Sequence, residues 1–346
     1  MKTEILTVKN PQENMAAIEK AAAVLKAGGL VVFPTETVYG IGGLATSPDA
    51  AHAIYEAKGR PSDNPLIVHI EKPSDAERYA VTSDTYYRLA KAFMPGPLTV
   101  ILPKKDTVPD AVTGGLATVA LRVPAHPVAA ALISAVGTGI AAPSANLSGR
   151  PSPTTATHVV DDLSGRVDVI IDGGACEVGL ESTIIALDGD VATLLRPGAI
   201  TVDALALVCG EVKIAPAVTK LLGRDEKPLS PGMKYRHYAP RATLTLLDGE
   251  DLAVTAYLKS LTGDKSVGIL CYDEEIPLLT GAATLFPIGG KEDLEAQAKR
   301  LFAALREADG HPACKRLYAH LPPREGLGLA LYNRLIRAAA HTIEKV

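Results

Sequence analysis

Residues 28–40 read Gly28-Gly29-Leu30-Val31-Val32-Phe33-Pro34-Thr35-Glu36-Thr37-Val38-Tyr39-Gly40, a four-residue apolar run that stops in a cluster of hydroxyls and one carboxylate. The run is short, β-branched and bounded by glycine and proline, so it reads as a buried strand. Just upstream, Asn10-Pro11-Gln12-Glu13 has the form of an N-cap, a first-turn proline and an N3 glutamate. Ile18, Ala22 and Leu25 follow at helical spacing up to the Gly28-Gly29 stop. A helix that feeds directly into a buried strand is the repeating unit of an α/β domain.

The same grammar continues along the chain. Ser47-Pro48 opens a helix carrying Ile54 and Tyr55, which ends in Lys58-Gly59-Arg60-Pro61 and then Asn64-Pro65. Residues 139–142 form a second apolar run that breaks into Pro143-Ser144-Ala145-Asn146-Leu147-Ser148-Gly149. Residues 66–70, 98–102, 118–123, 167–171, 182–187 and 191–195 read as further strands, and a helix near 202–208 closes a large domain with a mixed sheet. Residues 227–241, KPLSPGMKYRHYAPR, hold four formal cations, three prolines and no carboxylate, which reads as an extended connector. Beyond it, strands near 243–247, 267–271 and 316–319 alternate with helices near 251–261, 292–308 and 329–343. That alternation suggests a small parallel Rossmann-like unit, although no Gly-x-Gly-x-x-Gly follows its first strand. The expected division is 1–212, 213–241 and 242–346.

Composition narrows the function. With 346 residues, 47% hydrophobic, and a formal charge of -4, the chain can bury a large core and is not built to coat nucleic acid or an anionic membrane. Four scattered cysteines without a Cys-x-x-Cys pair suggest reduced thiols rather than a disulfide framework or zinc site. No apolar stretch approaches the roughly 18 residues of a membrane span, and no secretory leader is evident, so a cytoplasmic location is expected. The P-loop, His-Glu-x-x-His and Gly-x-Ser-x-Gly signatures are absent.

The polar strand ends each have two readings. Lys58 and Arg60 either decorate an exposed helix end or clamp phosphate. Arg122 and Arg196 either alternate outward from a strand or serve an anion. His69 is either a core histidine or aimed at a site. Residues 143–149 could be an ordinary turn, and Glu181-Ser182-Thr183 is equally open. Taken in order, they resemble one family. The segments are Pro34–Gly40, Lys58-Gly59-Arg60-Pro61-Ser62-Asp63-Asn64-Pro65-Leu66, Pro95-Gly96-Pro97-Leu98-Thr99, Arg122-Val123-Pro124, Pro143–Gly149 and Leu194-Leu195-Arg196-Pro197-Gly198. Together they are similar to the threonylcarbamoyl-AMP synthases, and Ser230–Pro240 resembles the connector of their longer, two-domain form.

That resemblance implies a twisted mixed-sheet YrdC-like domain followed by a smaller Rossmann-like α/β domain. It implies a nucleotidyltransferase that joins L-threonine, bicarbonate and ATP, with Mg2+, into L-threonylcarbamoyl-adenylate and pyrophosphate. A downstream transferase complex would carry the group to tRNA beside the anticodon. Thr35, Thr37, His69, Arg122, Ser144 and Ser182 would hold threonine. Lys58, Arg60, Asn64, Thr118, Ala142 through its backbone, Asn146, Ser152, Arg196, Tyr235 and Tyr238 would hold ATP. Lys58, Arg60, Arg122 and Ser144 would carry the chemistry, and the cationic connector would close over the reactive product as a lid. A catalytically silent double-stranded RNA module remains the alternative of a different class. A carbamoyl-transferring hydrogenase-maturation factor is a second, weakened by the absence here of zinc-finger cysteines.

Overall fold

The structure is a computed structural model that describes residues 2–219 and 238–346. Tyr235, Arg236 and most of the connector fall outside the described residues, and with them the lid expectation. The chain divides into two compact units: 1–148, 152–177 and 181–235 in the first, and 149–151, 178–180 and 236–346 in the second.

The first unit runs β1 (Glu4–Thr7), α1 (Met15–Lys26), β2 (Val31–Phe33), β3 (Gly40–Leu44), α2 (Pro48–Lys58), β4 (Ile67–His69), α3 (Asp84–Phe93), β5 (Leu98–Pro103), α4 (Asp110–Thr113) and β6 (Thr118–Arg122). It continues with α5 (Pro127–Val136), β7 (Ile140–Ala141), α6 (Ala156–Leu163), β8 (Val169–Asp172), β9 (Thr183–Asp188), β10 (Val191–Arg196), α7 (Val202–Cys209) and β11 (Val212–Ile214). Its strands form one mixed sheet in the order β1-β8-β2-β3-β7-β4-β6-β5-β9-β10-β11. A core of Ile18, Leu25, Phe33, Leu132, Ile133 and Ile171 packs α1 and α5 onto one end of that sheet. Ile67, Ile101, Ala120, Ile184 and Leu195 form a second cluster further along it.

Local physics accounts for several boundaries. Ser47 accepts a hydrogen bond from the Ala50 amide with Pro48 in the first turn, and Gly59 at φ 59° ends the same helix in the left-handed region. α1 begins later than its sequence suggests. Asn10 instead closes a turn on the Gln12 amide at 3.0 Å, and Asn14 is the residue before the helix. β3, with the sequence GIGGL, carries little strand propensity to read; its glycines are there because larger residues do not fit. A Cβ on Gly42 would lie 2.7 Å from Ile140 and 2.8 Å from Phe33.

The second unit contains β12 (Thr243–Asp248), α8 (Asp251–Leu261), β13 (Val267–Cys271), β14 (Thr284–Pro287), α9 (Leu294–Gly310), β15 (Arg316–His320), α10 (Gly328–Ala338) and β16 (Ile343–Lys345). All strands pair in parallel, in the order β14-β13-β15-β12-β16. The last helix ends at Ala338, short of the expected 343, because Ala340 and His341 turn through φ 48° and 64° and the chain adds an edge strand instead. All four cysteines are free. Among the described residues no helix is long and apolar enough to cross a membrane.

Candidate active site

Strand register decides which polar residues of the first unit meet. β4 lies between β6 and β7, so His69 is level with Arg122 on one side and Ile140 on the other. β7 then runs on through Ala142, whose amide bonds the Ile67 carbonyl at 2.8 Å, to Ser144, which bridges Gly40 at the start of β3.

Arg122 is 3% exposed and held on three sides. Its Nη1 donates to the Thr37 hydroxyl at 2.9 Å, its Nε to the Gly96 carbonyl at 3.3 Å, and its Nη2 lies 2.8 Å from the Glu36 carboxylate. Glu36 also accepts from the Ala125 amide at 3.1 Å. Burial alone would raise the Glu36 carboxyl, but the Arg122 charge and these hydrogen bonds outweigh it and hold the carboxyl below its usual range. Thr35 closes the turn, bonding Thr37 at 2.9 Å and the Val38 carbonyl at 2.6 Å. His69 is 3% exposed, and its Nδ1 is buried without a hydrogen-bond partner. Burial first, and then the Arg122 charge, depress its pKa to about 3, so the ring is neutral at physiological pH.

Lys58 sits at the end of α2, buried to 3% exposure rather than decorating a solvated helix end. Its ammonium donates to the carbonyls of Ser144 and Asn146, the latter at 2.6 Å, while the Ser144 hydroxyl donates to Asn146 Oδ1 at 2.6 Å. Arg60, one residue past the Gly59 cap, donates to the Asn64 and Pro65 carbonyls at 3.2 Å each. Asn64 Oδ1 is buried without a hydrogen-bond partner. Thr118 opens β6 at the end away from Arg122; the parallel register that sets Ile67 against Ala120 brings it level with the Asn64-Pro65 turn.

A third group gathers at β9 and β10. Ser182 bonds Thr99 at 2.8 Å and takes the Arg196 guanidinium on its carbonyl at 3.0 Å and its hydroxyl at 3.1 Å. Ser152 donates to the Glu181 carboxylate. Tyr238 belongs to the second unit, where its ring is 4% exposed, stacks on Phe302 at 5.2 Å and lies under the Arg334 guanidinium. Packing there accounts for that side chain. Glu36 was missed as a site residue because a carboxylate looks out of place among anion binders. The signal that could have found it is the rule that a buried guanidinium needs a counter-charge.

Cations oriented by carbonyls and hydroxyls, at strand ends and at the end of α2 in one α/β unit, form a candidate site for small anions and hydroxylated substrates. Two family models cover the chain: Telomere recombination over residues 23–198 and Threonylcarbamoyl-AMP synthase, C-terminal domain over residues 200–340. The chain is 44% identical to a threonylcarbamoyl-AMP synthase of Bacillus subtilis, across 97% of this chain and 95% of that one. It is 43% identical to one of Pyrococcus abyssi, across 95% and 96%. The solved structure of the Pyrococcus abyssi protein Sua5 complexed with L-threonine superposes with a TM-score of 0.90 at 41% identity, covering 100% of both chains. The chain belongs to the threonylcarbamoyl-AMP synthase family.

Proposed function

We propose that the first unit makes L-threonylcarbamoyl-adenylate from L-threonine, bicarbonate and ATP, releasing pyrophosphate, by the residues just described. One observation carries the assignment of threonine to one end of the sheet. Arg122 is buried, held in three directions by Glu36, Thr37 and Gly96, and set in register with a neutral His69 whose Nδ1 lacks a partner. A fixed guanidinium suits a carboxylate, and an orphaned ring nitrogen is satisfied by a substrate group. Thr35, Thr37, Ser144 and Ser182 complete a polar wall that reads the threonine hydroxyl, because an analogue lacking it would leave buried groups unpaired.

ATP is assigned to Lys58, Arg60, Asn64, Thr118, Asn146, Ser152, Arg196 and the Ala142 backbone, with Tyr235 as the connector's contribution. The threonine amine adds to bicarbonate with loss of water to give a carbamate. A carbamate oxygen then attacks the α-phosphorus, and the P–O bond to pyrophosphate breaks. Every partner in that step is an anion, so preset cations lower the repulsion and positioning supplies most of the rate. His69 is too weak a base to hold a proton here and serves as a hydrogen-bond partner.

Mg2+ belongs to this reading as the companion of ATP. Among the described residues no three His, Cys, Asp or Glu side chains converge, and Glu36 is committed to Arg122, so the residues fit an ion held by phosphate oxygens. Bound there, it would neutralise phosphate charge. The product would pass to a threonylcarbamoyl-transferase complex acting on tRNA in the cytoplasm. The test supplies labelled bicarbonate with ATP and Mg2+. Label should enter an adenylate only when L-threonine is present, and Arg122→Lys should raise the threonine KM because a point charge cannot replace the planar fork. Label incorporation without threonine would overturn the reading.

A further inference from the structure

We infer that Thr99 is a positioning residue of the threonine site: its hydroxyl donates to Ser182, and the Ser182 hydroxyl is thereby left as the hydrogen-bond donor to a threonine oxygen. The inference rests on the assignment of Ser182 to threonine made above, and adds to it a direction and a second residue. It also gives a role to the segment Pro95-Gly96-Pro97-Leu98-Thr99, which the family resemblance singles out and the assignments above leave without a site residue.

That segment ties the two ends of the threonine wall together through its backbone. The Gly96 carbonyl accepts from Arg122 Nε at 3.3 Å, and the Gly96 amide donates to the Val123 carbonyl at 2.8 Å, which fastens it to the end of β6. A Cβ on Gly96 would lie 2.5 Å from the Phe93 carbonyl oxygen, so no larger residue fits this close approach. One residue on, the Pro97 carbonyl accepts from the Thr183 amide at 2.9 Å. The parallel pairing of β5 with β9 then sets Leu98 against Thr183 and Thr99 against Ile184. Ser182, just ahead of β9, is therefore fixed to the same segment that holds the Arg122 guanidinium.

A count of protons gives the direction, since a hydroxyl has one to donate. The other hydroxyls assigned to threonine each have an acceptor inside the protein. Arg122 donates to Thr37 at 2.9 Å, Thr37 to Thr35 at 2.9 Å, and Thr35 to the Val38 carbonyl at 2.6 Å, so that relay ends on an oxygen with no proton of its own. Ser144 donates to Asn146 Oδ1. The relay at β9 has no such end. Arg196 donates to the Ser182 carbonyl at 3.0 Å and to its hydroxyl at 3.1 Å, and the Ser182 and Thr99 hydroxyls lie 2.8 Å apart. Among the described residues neither hydroxyl has a further partner, so one of the two protons is left over. Were Ser182 to donate to Thr99, the surplus proton would be stranded on a residue that is 0% exposed inside β5, and buried donors are rarely left without acceptors. With Thr99 donating to Ser182, the surplus proton sits in the threonine wall, where a substrate oxygen accepts it. Of the four hydroxyls assigned to threonine, Ser182 alone has a proton to give.

The test titrates the full chain calorimetrically with L-threonine, as wild type, Thr99→Val, Thr99→Ser, Ser182→Ala and the Thr99→Val, Ser182→Ala double variant. Valine keeps the shape of threonine and loses the hydroxyl, whereas serine keeps the hydroxyl. Thr99→Val is expected to weaken threonine binding about ten-fold, and Thr99→Ser to hold it within about two-fold. In the Ser182→Ala background Thr99→Val should have no further effect, because Thr99 acts through Ser182. In turnover the Thr99→Val loss should fall on the threonine KM and leave the ATP KM unchanged. A wild-type chain that does not bind threonine would overturn the assignment of the site and this inference with it. Unchanged affinity in Thr99→Val, an equal loss in Thr99→Ser, or the same loss with and without the Ser182 hydroxyl would overturn the role of Thr99 alone.

Discussion

Glu36 and Arg122 are each below one-tenth exposed, so neither charge tolerates loss of the other. Removing one partner of such a pair costs about 3–5 kcal/mol, because the remaining charge stays buried. Glu36→Gln keeps the shape and part of the hydrogen bonding, so a loss near about 3 kcal/mol in urea denaturation is expected, with a raised threonine KM and little change in that for ATP. An unchanged threonine KM would show that Arg122 keeps its place without the carboxylate. His69 makes a separate prediction about pH. Folded, it stays neutral down to about pH 3, whereas an unfolded histidine takes a proton near about 6.5. Between those values the unfolded chain binds more protons, so stability falls as pH drops, by up to about 1.4 kcal/mol per unit. His69→Gln removes this term, and its stability loss between pH 7 and 5 should be about 2 kcal/mol smaller than that of the parent. The hydroxyls and cations here were legible from residue type and position after apolar runs. Glu36 was not, since its role exists only in contact with Arg122 on the distant strand β6.

Elements bring these residues to their places, and their ends matter more than their middles. α2 delivers Lys58 as its last residue and releases Arg60 through the left-handed Gly59. A Cβ at Gly59 would meet nothing within 4 Å, so the cost of Gly59→Ala is purely conformational. Roughly 1–2 kcal/mol of stability should be lost, read by thermal or urea denaturation, with threonine affinity unaffected. A neutral result would mean the cap relaxes to another conformation. The Ser47-Pro48 opening of this helix was plain in the sequence because a cap is satisfied within three residues. The start of α1 was not: Asn10 also satisfies amides locally, and a turn and a cap compete for the same side chain. β3 was illegible for a different reason. Its glycines carry no propensity, and contacts from elsewhere in the chain explain two of them: Ile140 and Phe33 press on Gly42, and Ala50 of α2 presses on Gly43.

The first unit owns all the residues assigned to threonine, and its sheet and core lie within it. A fragment of residues 1–219 should therefore melt cooperatively by circular dichroism and bind L-threonine calorimetrically. A fragment that is unfolded would show that the unit's core is not sufficient by itself. The alternation of caps, short apolar runs and turns determined the α/β class and the parallel second sheet from the chain alone, because those signals act over a few neighbouring residues. Motif order did the same for the candidate residues. What the sequence left open was which strands would lie side by side. Placing β7 between β3 and β4, and β4 between β7 and β6, sets His69 beside Arg122 and brings Ser144 to Gly40. That order depends on burying side chains from distant segments against one another, a balance of many long-range contacts that no local stretch encodes.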